Sequence, residues 1–123
     1  MLIDSNLIMY ATQPPYTQLR RWLVNDATHY SAISRLETLG YHRLGDPEKQ
    51  AILAILDTLE MVLITKATLE IAIGLRQQRK MSLGDAVIAA SCLEHGLPLA
   101  TANDKDFAWV PGLVIHNPVE RER

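Results

Sequence analysis

A chain of 123 residues, 48% hydrophobic and 21% charged, has the composition of one globular domain over 1–123 with a polar tail at 119–123, burying roughly two-thirds of its unfolded surface, which excludes intrinsic disorder. Its longest apolar runs, Met61–Ile64 and Ala86–Ala90, fall far short of the ~20 residues of a bilayer span; Asp4 interrupts any secretory leader, and the lone Cys92 excludes a disulfide framework or a cysteine-based zinc site, so a soluble, cytoplasmic protein without membrane contact is expected. Twelve Lys and Arg against 14 Asp and Glu give a net charge of −2, which excludes a uniformly cationic nucleic-acid coat, although four acids committed to a divalent cation would leave 12 basic residues against 10 acidic ones.

Met1 to Ile3 is a short apolar run that stops at Asp4-Ser5-Asn6. Leu7 to Tyr10 predicts a first helical segment, ended by Pro14-Pro15. Tyr16, Leu19, Leu23 and Val24 give a helical period over Tyr16 to Asn25, and His29 to Ser31 is a weak strand. Ile33, Leu36, Gly40 and Leu44 mark the inward face of the next helix, which Gly45-Asp46-Pro47 breaks, Asp46 being a good N-cap for the helix that follows. That helix carries Ala51, Ile52, Ile55, Leu56 and Leu59. Met61 to Ile64 then reads as a fully buried strand, and Leu69, Ile73 and Arg76 as another helix. The clearest helix runs from Leu83 to His95 and is stopped by Gly96 and Pro98. Leu97 to Ala100 and Leu113 to Ile115 complete about five short strands alternating with helices. This is the α/β pattern of a central, mainly parallel sheet flanked by helices.

Carboxylates stand out in this frame. In an open α/β sheet ligands bind beyond the carboxyl ends of the strands. Asp4 follows the first strand, Asp104 and Asp106 follow the strand near Ala100, and Asp85 opens the strongest helix. Each also has a local structural explanation: Asp4-Ser5-Asn6 is capping chemistry, Ser82 to Asp85 has capping-box spacing, and Asp104 and Asp106 suit a turn. Glu37 is harder to explain so, because its spacing from Ile33 and Gly40 sets it on the inward face, where an acid must be paired, protonated or bound to a cation. Converging acids repel, and an all-oxygen ligand set without His or Cys suits Mg²⁺ or Mn²⁺ rather than zinc. Such an ion holds phosphate and lowers the pKa of water, which are the requirements of phosphodiester hydrolysis.

Four motifs occur in order: Asp4-Ser5-Asn6; Ser31, Ser34 and Glu37 as Ser-x-x-Ser-x-x-Glu; Leu83-Gly84-Asp85-Ala86 continuing to Ala90; and Thr101-x-Asn103-x-x-Asp106-Phe107. A Pro-Gly-Leu-x-Ile-x-Asn-Pro ending follows from Pro111 to Pro118. Together they resemble the PIN-domain ribonucleases, and most closely the toxins of the VapC type. The resemblance implies a PIN-like fold and metal-dependent endonuclease action on RNA. By position it makes Asp4, Glu37 and Asp85 catalytic acids and sets the fourth either two places after Thr101, where this chain has Asn103, or before Phe107 at Asp106; Asp106 is favoured with Asp104 as its substitute, and Asp4, Asp85 and Asp106 are the ligands of Mg²⁺ or Mn²⁺. Ser5, Thr101 and Asn103 take supporting positions. The chain departs from the family pattern at Ala102, where a polar or basic residue is usual. The resemblance also implies a cognate antitoxin and a homodimer, for which Tyr41 to Leu63 could supply surface.

Arg76, Arg79 and Lys80 precede Asp85 and could hold RNA backbone, or simply suit a helix end. Trp22 and Trp109 could stack bases, though Trp22 reads more readily as packing. The four His show no ligand spacing, and Cys92 reads as core. The alternatives to a toxin-type ribonuclease are a catalytically weak module of the same fold that binds RNA or protein, and a metal-dependent phosphatase or DNA nuclease.

Overall fold

A computed structural model describes residues 1–119 of the chain. In chain order the elements are β1 (Leu2–Ile3), α1 (Ser5–Ala11), α2 (Thr17–Asp26), β2 (His29–Ser31), α3 (Ala32–Leu39), α4 (Asp46–Leu56), β3 (Glu60–Val62), α5 (Lys66–Gln78), α6 (Leu83–His95), β4 (Leu99–Ala100), α7 (Asp104–Phe107) and β5 (Ile115–His116). A 3-10 turn at Pro14–Tyr16 joins α1 to α2. All four strand pairings are parallel, in the order β3-β2-β1-β4-β5. The expected α/β architecture with a parallel five-stranded sheet is therefore present.

Successive strand residues point to opposite faces, and the core divides accordingly. Leu2 and Leu99 pack on one face with Leu75, Met81, Ile88 and Phe107, from α5, α6, α7 and their connections. Ile3 and Ala100 pack on the other with Leu7, Ile8, Leu19, Leu23, Ile52 and Leu56, from α1, α2 and α4. Each fully buried Leu, Ile or Phe contributes about 1.5–3 kcal/mol of burial free energy. β1 lies at the centre, with the chain running to β2 on one side and returning as β4 on the other. The crevice between β1 and β4 at their carboxyl ends is the switch point of the sheet.

Four local expectations need correction. The helix read from Ile33 to Leu44 ends at Gly40, and its buried face carries Ser34 and Thr38, while Leu36 is 68% exposed and Glu37 is also exposed. Small hydroxyl residues let α3 approach α1 closely, and Thr38 satisfies its own hydroxyl on the Ser34 carbonyl at 2.8 Å. An apolar-periodicity argument cannot see such a face. Asp46 is not the cap of α4: Gly45 holds that position, and its N–H donates to Glu48 at 2.7 Å. Met61 to Ile64 is not a buried strand either. β3 is an edge strand, with Val62 inside and Met61, Leu63 and Ile64 exposed, and Leu69 and Ile73 of α5 likewise face outward. Of the tail expected at 119–123, Val119 packs against the second core cluster, and residues 120–123 lie outside the described residues.

α6 is lined with small residues, and its buried positions run from Gly84 to Cys92 with Asp85 the partly exposed exception. Ser82 caps it by accepting from the Asp85 N–H at 3.1 Å, and Gly96 ends it with φ 64°, a left-handed conformation that glycine adopts without penalty. Its first turn therefore sits in a fixed position beside the switch point. Among the described residues no helix is long and apolar enough to cross a membrane.

Candidate active site

Asp4 leaves β1 at its carboxyl end and begins α1, yet its side chain makes no capping hydrogen bond. It turns instead toward β4, where the Thr101 hydroxyl donates to Asp4 Oδ2 at 2.8 Å. Thr101 Oγ1 in turn accepts the Asn103 backbone N–H at 2.9 Å. With that lone pair occupied, the Thr101 proton is directed at Asp4, so Asn103 acts through its main chain and Thr101 orients the carboxylate.

A second chain of hydroxyls reaches Glu37. Ser5 Oγ lies 2.7 Å from Ser34 Oγ and 2.8 Å from Glu37 Oε1. A carboxylate can only accept, and Ser5 has one proton to give. Ser5 therefore donates to Glu37, and Ser34 to Ser5. Ser31, the other hydroxyl of this motif, caps α3 by accepting from the Ile33 N–H at 3.3 Å. Glu37 thus reaches the site although it is exposed. Its carboxylate lies over Gly84: a Cβ on that residue would stand 2.5 Å from Glu37 Oε2.

Gly84→Ala is therefore expected to displace the Glu37 carboxylate. The stability should stay level or rise by up to about 1 kcal/mol, because alanine favours the helix. Activity should fall about tenfold, as for loss of an oriented group beside a metal site. Unchanged turnover alongside unchanged stability would remove Glu37 from the machinery.

The acids influence one another. Burial pushes Asp4 up from 3.8 to about 6, opposed by the Thr101 bond and reinforced by the charges of Asp85 and Glu37. Asp85 is raised too, by burial first and then by Asp106 and Glu37. Among the described residues, the ion pairs within 4.0 Å are His29–Glu60 and His95–Glu94, so no lysine or arginine neutralises the group at that range. An oxygen-only set, one member buried and destabilised as an anion, fits a hard divalent cation. Among the described residues no three His, Cys, Asp or Glu stand close enough to cage a bare ion. Mg²⁺ does not require such a cage, since it is commonly held by one or two carboxylates and completed by water.

Asp104 and Asp106 part company in α7. Asp104 accepts from the Asn117 side chain at 2.8 Å, which ties α7 to the segment after β5. Asp106 shares a cleft of about 820 Å³ with Asp85, and its charge reaches that residue. Arg76, Arg79 and Lys80 line the same cleft, joined by Lys105 and Trp109. The Arg76 Nε–H donates to the Met81 carbonyl at 3.1 Å, which fixes its stem. Trp22 instead packs at the second core cluster and stacks on His116, with ring centres 5.5 Å apart. Cys92 is buried, its thiol pushed up to about 12 by burial, which suits packing and not nucleophilic attack.

Sequence reasoning counted Ser34 and Gly84 in its motifs without giving either a role, and missed Lys105. The glycine directly before Asp85 was the available signal, because a missing side chain beside a functional acid leaves room for another group. Lys105, alone between two aspartates, carried no pattern.

The sequence matches the PIN domain family over residues 1–113. No match was found among curated proteins. The fold resembles a toxin–antitoxin complex from Klebsiella pneumoniae, at 29% identity and TM-score 0.74, covering 95% of this chain and 96% of that one. It also resembles VapBC2 from Rickettsia felis bound to a promoter DNA fragment, at 23% identity and TM-score 0.76 over 94% and 96% of the two chains. FitAcB from Neisseria gonorrhoeae is similar at 23% identity and TM-score 0.75 over 96% and 97%. With the match spanning nearly the whole chain and both hydroxyl-supported acids at the switch point of a parallel sheet, the chain belongs to the PIN domain family.

Proposed function

We propose that this protein is a metal-dependent endoribonuclease and the toxin of a VapC-type toxin–antitoxin pair, with Asp4, Glu37, Asp85 and Asp106 as its catalytic acids. The single observation that carries the reading is the buried Asp4 carboxylate, raised to about 6 by burial and by Asp85 and Glu37, with no cationic side chain paired to it among the described residues. Asp4, Asp85 and Asp106 are the residues that would hold Mg²⁺ or Mn²⁺. When bound, a divalent cation supplies charge neutralisation of a phosphodiester and acidification of water.

The chain's own groups do the rest. Thr101 and Ser5 hold Asp4 and Glu37 in fixed rotamers, so neither has to reorganise during the reaction. Asp106, which lines the cleft, is favoured over Asp104, which is engaged by Asn117. Arg79, Lys80 and Lys105 offer positive charge to RNA phosphates along the cleft. The similarity to toxin–antitoxin complexes supports an antitoxin partner. A homodimer and a cytoplasmic location belong to the same reading. Leu69, Ile73 and Leu83 line one apolar groove of about 460 Å³ between α5 and α6, a second stretch of contact surface beside the expected Tyr41 to Leu63.

The cationic lining of the cleft would equally serve a second reading, a PIN-like module that binds RNA or protein without cutting. Metal titration separates the two. The nuclease should cleave RNA oligonucleotides with Mn²⁺ or Mg²⁺, stop on chelation, and bind Mn²⁺ at sub-millimolar concentration. It should leave matched DNA and simple phosphate esters largely intact. Failure to bind Mn²⁺ in that range, or cleavage that survives chelation, would reject the proposal.

A further inference from the structure

The cleft beside the acids has a composition that phosphate binding alone does not explain. Arg76, Arg79, Lys80 and Lys105 line it against Asp85 and Asp106, a local excess of positive charge in a chain whose net charge is −2. Among the described residues none of these cations forms an ion pair within 4.0 Å. Trp109 lines it as well. Its indole is partly buried against the first core cluster, and its Nε1–H donates to the Asp106 carbonyl at 3.2 Å, so the ring is anchored to the backbone of a candidate catalytic acid. The Arg79 guanidinium lies over that ring, 5.5 Å from its centre. Arg79 itself is exposed.

An exposed arginine held over an anchored indole offers a planar cation and an aromatic ring side by side. Nucleobases stack on aromatic rings and on guanidinium planes alike. A base inside a duplex already has both faces occupied by its neighbours, so only an unpaired, unstacked base can use such a surface. We infer that Arg79 and Trp109 form a stacking platform for one unpaired nucleobase of the RNA, in the cleft that Arg76, Lys80 and Lys105 share with Asp85 and Asp106. This rests on the ribonuclease reading and deepens it, because it makes this pair the residues that select single-stranded over double-stranded RNA. Arg79 then has two uses, a charge for the backbone and a plane for the base, and lysine can supply only the first.

The test is an abasic scan. A short unpaired RNA that carries one abasic nucleotide, moved position by position, is presented to the protein with Mg²⁺; affinity is read by fluorescence anisotropy and cutting by gel. For the unsubstituted protein, one position should cost about tenfold or more in affinity, and the fully paired duplex should bind at least as poorly. In Trp109→Ala and Arg79→Lys the same abasic substitution should cost less than about twofold, because the platform is already lost. Trp109→Phe should keep most of the penalty. Arg79→Lys is a surface change and leaves the fold intact, so the result does not depend on how well Trp109→Ala folds. An abasic penalty that persists in Arg79→Lys and Trp109→Ala, or no position-dependent penalty at all, overturns the platform. Cutting without this coupling would reject the platform and leave the nuclease standing. Coupled binding without cutting would do the reverse, and RNA neither bound nor cut would reject both.

Discussion

Asp4→Asn is expected to lower RNA cleavage by about a hundredfold or more and, in the absence of divalent ions, to raise stability at neutral pH. Both effects come from one cause. The Asp4 side chain is buried, and burial together with Asp85 and Glu37 raises its pKa from 3.8 to about 6. The folded protein therefore holds this proton more tightly than the unfolded chain does. Well below pH 3.8 the group is protonated in both states and nothing is lost. As pH rises toward about 6, the unfolded chain gives up the proton first, and stability falls by up to about 3 kcal/mol in total. Above that pH the whole penalty is present. Asparagine carries no charge, and its amide oxygen can still accept the Thr101 hydroxyl. Urea unfolding at pH 8 should show the variant more stable by about 1–3 kcal/mol, with the difference mostly lost near pH 4 and gone well below pH 3.8. Added Mn²⁺ should stabilise the unsubstituted protein and not the variant. If Asp4→Asn were less stable at pH 8 than the unsubstituted protein, the carboxylate could not be the strained group described here.

Phe107→Ala is expected to cost about 3–5 kcal/mol, the largest loss of stability among the substitutions considered. Phe107 is fully buried in the first core cluster and is the buried residue of α7. A helix of four residues has no stability of its own, so α7 stays in place through this ring and through the Asp104 to Asn117 hydrogen bond. Asp106 precedes the ring in sequence, and Trp109 is tied to the Asp106 carbonyl. Loss of the ring should therefore loosen a candidate catalytic acid and the stacking surface together. Urea unfolding should show the full cost for alanine and less than about 1.5 kcal/mol for Phe107→Leu, which keeps most of the volume. Under conditions where both variants are folded, cleavage should fall much further for alanine. Equal activity in the two would mean that α7 holds its position without Phe107.

Most of the architecture could be read from residue order. Short apolar runs alternated with helical periods, and each run was too short to be a helix and too apolar to be a loop. A parallel sheet between helices is the arrangement that buries such runs, and five strands form at or beside them, although β3 is an exposed edge at Glu60–Val62 and β5 lies at Ile115–His116 rather than Leu113–Ile115. The acids at strand ends and at the start of α6 were visible for the same reason: once the sheet is parallel, the carboxyl ends of its strands share one edge.

Other features depended on packing. Periodicity marked Leu36 as inward, yet the face of α3 that meets α1 is made of Ser34 and Thr38, because a close helix contact favours small side chains over apolar ones. The Glu37 carboxylate is drawn beside the Asp4 segment not by burial but because Gly84 leaves it room and Ser5 donates to it, two residues far from it in the chain. Likewise, the family pattern preferred Asp106 and kept Asp104 as its substitute, and the fold supplies a physical reason to separate them, sending one to Asn117 and the other into the cleft. Composition and order thus determined the sheet and the edge where the acids gather. Which acids turn into the site, and what holds them there, was decided by contacts between segments distant in the chain, since a side chain's rotamer is selected by whatever tertiary neighbour fills the space or offers the proton.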